Sequence, residues 1–191
     1  MQKRKGLIFV LSAPSGGGKT SLVKALLKED KNLVHPASFT TRQRRAGEKD
    51  GVDYNFISEK EFGHRLKKGE FLEWSKPFGC CYATSKAAII KNIKNGKDAI
   101  LSLDFNGADF VKKSFKDSAA IYILPPSIKA LRQRLVGRMT DRSSEIKKRL
   151  SFAKDDIRRI GRYDYVVVND NFMEAVSKLK SIIVAERLKV R

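Results

Sequence analysis

The passage from residue 7 to residue 20 constrains this chain most: Leu-Ile-Phe-Val-Leu-Ser-Ala-Pro-Ser-Gly-Gly-Gly-Lys-Thr, an unbroken apolar run that gives way to three glycines, a lysine and a hydroxyl. Leu7 to Leu11 has no polar interruption, which is the pattern of a parallel strand covered on both faces. Gly16, Gly17 and Gly18 let the backbone turn with its N–H groups inward, Lys19 reaches along outer phosphates, and Thr20 offers a hydroxyl to Mg²⁺. Leu22, Val23, Leu26 and Leu27 then recur at helical spacing, so bound phosphates would lie on a helix N-terminus. Ala13 stands where the strict pattern G-x-x-x-x-G-K-[ST] has its first glycine. The alternative, a Gly/Ser turn with a solvated lysine, is disfavoured by the strand before it and the helix after it.

At 191 residues the chain suits one domain with small insertions. Forty Lys and Arg against 21 Asp and Glu give a net charge of +19, which points to anionic partners. Nucleic acid, an acidic membrane surface and nucleotide phosphates all satisfy that charge, as does a merely solvated lysine-rich surface. The excess concentrates in residues 129–162, where twelve cations face only Asp141, Glu145, Asp155 and Asp156. The two cysteines, Cys80 and Cys81, are adjacent, too close for an ordinary disulfide and without further cysteines to ligate zinc, so a reducing cytoplasmic setting is expected. The basic head and short apolar run at the N-terminus read as a first strand rather than a signal peptide. No stretch nears the ~20 apolar residues that span a bilayer, so no membrane role is expected.

A strand and helix over about 7–28 are followed by a polar break at Glu29–Asn32. Ser38–Asp53, with three arginines in four positions, shows no period and reads as a loop. Tyr54–Ile57, Phe71–Trp74 and Cys81–Thr84 read as strands, and Phe62 with Leu66 as a short helix. Alternation of helix and strand then resumes: a helix at Ala87–Ile93, a strand at Ala99–Asp104, a helix after Gly107 and a strand at Ala119–Leu124 before Pro125-Pro126. Residues 127–160 read as basic helix with Ile146, Leu150, Ala153 and Ile157 on one face. Tyr165–Val168 reads as a last buried strand, and Phe172, Met173, Val176, Leu179 and Ile183 as the apolar face of a closing helix. The pattern is α/β with a parallel sheet.

Six pieces taken together resemble the guanylate kinases: Ser-Ala-Pro-Ser-Gly-Gly-Gly-Lys-Thr at 12–20, Thr-Thr-Arg-Gln-Arg-Arg-Ala-Gly-Glu at 40–48, Asp-Tyr-Asn-Phe at 53–56, Phe-Leu-Glu-Trp at 71–74, Leu-Asp-Phe-Asn-Gly at 103–107 and Val-Asn-Asp at 168–170. The Arg-rich piece, with its Ala-Gly-Glu end, is far more specific than the Gly-rich one, which many nucleotide enzymes share. The resemblance implies a P-loop NTPase-type parallel sheet core (about 1–34, 87–125 and 161–191), a mostly β GMP-binding insertion (about 35–86) and a helical lid (about 126–160) in a single domain. It implies transfer of a phosphoryl group from ATP to GMP with Mg²⁺, giving ADP and GDP. No nucleic-acid partner is then expected, and a homo-oligomer is compatible with it.

The chemistry agrees with that resemblance. A nucleoside monophosphate kinase needs two phosphate sites facing each other and a reader for one base. Ala13, Pro14, Ser15, Gly16, Gly17, Gly18, Lys19, Thr20 and Ser21 would hold ATP, with Thr20 toward the metal. Arg42 and Arg45 can fork onto the GMP phosphate, with Glu48 in the same loop and Tyr54 and Tyr82 adding hydroxyls. Guanine offers N1–H and a 2-amino group side by side, which one carboxylate accepts. By resemblance Glu73 takes that role, Thr84 donates to O6, Ser38 assists and Asp104 accepts from the amino group. Arg138 and Arg149 would reach phosphates from the lid, with Lys19 and Arg42 as the other catalytic cations, while Arg134 and Asn169 would flank the adenine. Three departures stand out: Ser102 where the family usually has aspartate, Cys80-Cys81-Tyr82-Ala83 for Asn-Tyr-Tyr-Gly, and Met139 for a lid glycine. A phosphopeptide-binding relative without catalysis and a basic nucleic-acid ATPase are the competing readings. The first tends to lose the phosphate loop, and the second calls for aromatics among basic residues on an open groove.

Overall fold

A short apolar run without a polar break suits a strand covered on both faces. In the computed structural model, which describes residues 4–137 and 143–190, all five residues of β1 (Ile8–Ser12) are buried. It is followed by α1 (Lys19–Glu29), β2 (Leu33–Val34), β3 (Phe39–Thr40), β4 (Asn55–Phe56), α2 (Glu59–Lys67), β5 (Phe71–Ser75), β6 (Tyr82–Ser85), α3 (Lys86–Lys94) and β7 (Asp98–Ser102). The second half of the chain contributes α4 (Phe105–Ser114), β8 (Ala119–Leu124), α5 (Ile128–Val136), α6 (Ser143–Arg158), β9 (Tyr165–Val168) and α7 (Phe172–Leu188). β1 is the middle strand of a five-stranded sheet ordered β2-β7-β1-β8-β9, with β1–β8, β2–β7 and β8–β9 paired in parallel.

Two compact units divide the chain: the N-terminal segment to Leu7 with Asn32–Ala99, and Ile8–Lys31 with the chain from Ile100 onward. In the second unit, Phe9, Leu11, Leu22, Leu26, Ile121, Ile123 and Leu179 are fully or almost fully buried. Each such side chain contributes about 1.5–3 kcal/mol by leaving water. Leu131, Leu135 and Ala153 join α5 to α6, with Ile146 and Leu150 packed on them.

The first unit carries a four-stranded sheet ordered β4-β3-β6-β5, parallel between β3 and β4 and antiparallel elsewhere. Its core is Phe62, Cys81 and Ala83, flanked by Phe39, Ile57, Leu66 and Phe71. Ser58 starts α2 by accepting from Glu61 N–H at 3.1 Å, the N-cap bond that satisfies an otherwise orphan donor. Cys80 and Cys81 are free thiols.

Four local expectations are corrected. The Arg-rich loop contains a strand, β3, whose two residues are too few to show a period. β7 ends at Ser102 and α4 starts at Phe105, ahead of Gly107, because the Asp104 carboxylate caps the helix by accepting from Gly107 N–H at 2.9 Å. β9 lies at the sheet edge, so Val167 is buried while Val166 and Val168 are exposed. Phe172 and Met173 are exposed as well, and the buried face of α7 runs through Ala175, Val176, Leu179, Ile183 and Glu186.

Candidate active site

The turn after β1 takes its shape from its own small residues. Gly18 has φ +96°, a left-handed conformation open to glycine without strain, and it serves as N-cap of α1. Gly17 donates to the Pro14 carbonyl at 2.9 Å, and a Cβ at Gly17 would come within 2.7 Å of the Ala13 Cβ. Ala13 at the first glycine position is thus matched by a Gly17 that must stay bare. The Lys19 ammonium donates to the Ala13 carbonyl at 2.7 Å, which parks the charge across the turn. Thr20 and Ser21 are exposed in the first turn of α1, where the helix dipole favours negative charge.

Side chains from α5, α6 and the end of β9 converge on this turn. Arg149 donates to Ser15 Oγ at 2.8 Å. Asn169, 5% exposed, donates its amide to the Gly17 carbonyl at 2.9 Å, and its own backbone carbonyl accepts from Arg134 at 2.9 Å. Arg138 and Met139 lie outside the described residues.

Sequence reasoning passed over Asp156 and two tyrosines in this unit. Burial raises the Asp156 pKa, Lys19 opposes that shift and Asp104 adds to it. Tyr122, 1% exposed in the middle of β8, has a hydroxyl without a hydrogen bond among the described residues, and burial beside Asp156 and Tyr163 pushes its pKa up. The Tyr163 phenol is pushed up to about 12, first by burial and then by Asp156, Asp104 and Asp109, with Ser12 pulling it down. Ser12 stands near Tyr163 without completing a hydrogen bond to it, and its hydroxyl donates to the Leu103 carbonyl at 2.9 Å instead. The available signals were the spacing of Asp156 seven residues after Arg149, which puts both on one face of α6, and a tyrosine inside an apolar strand.

The other unit gathers a second constellation. Arg42 donates to both Glu48 oxygens, at 2.7 and 3.0 Å, and lies 5.5 Å from the Tyr54 ring centre. Burial would lower the Arg42 pKa, but Glu48 and Tyr82 raise it overall; burial likewise works against Glu48, which Arg42 and the Arg45 N–H hold below its ordinary value. Burial raises the Tyr54 pKa, and its ring meets that of Tyr82 edge-on at 6.0 Å. Arg45 is exposed and contributes its backbone N–H to Glu48 at 2.8 Å.

Glu73, 8% exposed, faces inward while Trp74 is 48% exposed. A bulge causes this: the register slips between Phe71 and Glu73, so Leu72 is the extra residue and Glu73 pairs with Thr84. Thr84 donates to Glu73 at 2.6 Å. Tyr82 and Thr84, two apart on β6, share a face. Ser38 is half-buried and its backbone carbonyl accepts from Asn55 N–H.

The guanylate kinase family model matches residues 5–186. The chain belongs to the guanylate kinase family. It is 47% identical over 186 residues to the guanylate kinase of Hahella chejuensis, covering 97% of this chain and 89% of that protein. Against the guanylate kinase of Rickettsia prowazekii the identity is 46% over 187 residues, covering 98% and 95%. The crystal structure of guanylate kinase from Anaplasma phagocytophilum superposes with a TM-score of 0.83 at 32% identity, covering 98% of this chain and 89% of that one.

A guanylate kinase handles a metal that travels with a nucleotide, and the residues here fit that need. Among the described residues no group of three or more His, Cys, Asp or Glu could hold an ion alone. The exposed Thr20 hydroxyl is a hard oxygen donor, suited to an ion coordinated mostly by phosphate and water.

Proposed function

We infer that this chain catalyses the phosphorylation of GMP by ATP, giving GDP and ADP, as a guanylate kinase in purine nucleotide metabolism. The single observation that carries the choice of base is the buried Glu73–Thr84 pair. A buried carboxylate matches a base edge with two adjacent donors, whereas adenine would set its N1 lone pair against Glu73 and leave a buried charge unpaired. Mismatches of this kind reject competitors by ~10⁴ or more.

The residues divide the work as follows. The N–H groups of Gly16 to Thr20, with Lys19, hold the ATP phosphates, and Ala13, Pro14, Ser15 and Ser21 complete the turn. The Thr20 hydroxyl would hold Mg²⁺, which when bound would supply neutralisation of the charge on the transferring group. Arg42, Arg45, Tyr54 and Tyr82 take the GMP phosphate, and Glu48 keeps Arg42 in place until that phosphate replaces it. Thr84 has one proton, now given to Glu73; donation to guanine O6 requires the hydroxyl to turn as the base donors take over the carboxylate. Ser38 and Asp104 supplement the base contacts, Asp104 with the oxygen that does not cap α4. Arg138 and Arg149 act from a lid over about 126–160 that shuts out water, and Arg134 and Asn169 lie toward the adenine. Residues 35–86 form the GMP-binding insertion, and the working compartment is the cytoplasm.

Incubation with ATP, GMP and Mg²⁺, followed by ³¹P NMR, tests the reading. GDP and ADP should appear in equal amounts. Inorganic phosphate with ADP and no GDP would identify an ATPase instead.

A further inference from the structure

The Gly17 carbonyl and the Gly18 N–H belong to one peptide plane, and in a trans peptide they point in opposite directions. Whatever holds the carbonyl therefore aims the N–H. The Asn169 side-chain amide, buried at the end of β9, donates to that carbonyl at 2.9 Å. Its own backbone is fixed by donation to the Leu124 carbonyl at 2.8 Å, one residue past the last β8–β9 pair, Leu124 with Val168. The fit is close, since a Cβ at Gly18 would lie 2.5 Å from the same amide nitrogen. Two adjacent glycines make flipping this peptide cheap, because neither has a side chain to resist it.

We propose that Asn169 is a positioning residue of the phosphate loop: its amide locks the Gly17–Gly18 peptide so that the Gly18 N–H stays turned away from Asn169 and toward bound phosphate. The same residue ties in α5, because its backbone carbonyl accepts from Arg134 at 2.9 Å. The role is separate from reading adenine. It rests on the reading of the glycine turn as the ATP phosphate site.

Asn169→Ala removes the donor together with the side chain, and Asn169→Leu removes the donor while keeping a branched, somewhat larger side chain in its place, so that a loss common to both reports the donor and not lost packing. Inorganic tripolyphosphate, which has no base, is the probe, with its affinity measured by calorimetry in the presence of Mg²⁺. Both variants should bind tripolyphosphate on the order of tenfold more weakly, the factor expected for a buried carbonyl left without its donor. The KM for GMP should stay within about twofold, and amide exchange should quicken at Gly16–Lys19 but not in β5 or β6. Unchanged tripolyphosphate affinity with weakened ATP would make Asn169 a base contact only and overturn the proposal. Quicker exchange throughout the chain, with GMP binding lost as well, would make it a general fold residue and also overturn it. Failure of the unmodified protein to bind tripolyphosphate would overturn the reading of the turn and the proposal with it.

Discussion

Thr84 Oγ1 donates a 2.6 Å hydrogen bond to Glu73 Oε1 from the neighbouring strand, and both residues are buried. The bulge at Leu72 decides this, because strict alternation in register with Ser85 would pair Glu73 with a different partner. The carboxylate is thereby held ready with one hydroxyl already on it.

Glu73→Gln replaces a pure acceptor with an amide whose NH₂ opposes a guanine donor. The KM for GMP should rise on the order of tenfold or more, with the KM for ATP nearly unchanged. Steady-state kinetics with each substrate varied will measure both. Equal weakening of the two would make Glu73 a structural residue.

Lys19→Ala removes the charge that lies across the glycine turn. Turnover should fall roughly 10²-fold or more, because the charge is lost where the phosphoryl group transfers. The thermal midpoint should change little, since the ammonium donates to a backbone carbonyl of the turn. Normal turnover in the folded variant would refute the phosphate role of the turn.

Arg149→Ala deletes the contact from α6 to Ser15. We expect kcat to drop about ten- to a hundredfold, the range for a charged hydrogen bond, with the KM for GMP little changed. Arg149→Lys should recover part of the loss, because an ammonium keeps the charge without the planar fork. Full recovery would show that the fork is unnecessary.

Glu48 gives a pH test. Its folded-state pKa lies below the reference 4.5, so the stability it contributes is present above that value and is lost as pH falls through the folded pKa. Thermal midpoints of the protein and of Glu48→Gln, measured from about pH 6 to 3, should converge on the acid side. Parallel curves would mean that ionisation of Glu48 contributes nothing to the fold.

The architecture was legible because its signals are local. Residues 8–11 and Ala119–Leu124 are apolar without interruption, and the helices between them keep an apolar stripe. What escaped depends on partners far along the chain or on elements too short to have a period. Two residues, Phe39 and Thr40, make a strand only because β4 and β6 flank them. Asn169 meets Gly17 across 152 positions, a relation that no window of sequence contains. Leu72 gives no sign of being a bulge, so the burial of Glu73 had to come from pairing. Asp104 ends an apolar strand pattern, yet Asp is also a favoured helix N-cap, and the cap prevails.

Acceptor choice tests the account most directly. ADP formation should be followed with ATP and Mg²⁺ while AMP, GMP, CMP and UMP are offered in turn at equal concentration. GMP alone should support rapid turnover, and Glu73→Gln should lower that rate without raising the rate on AMP to match it. Comparable rates on AMP and GMP in the unmodified protein would contradict the base-reading role of Glu73 and Thr84.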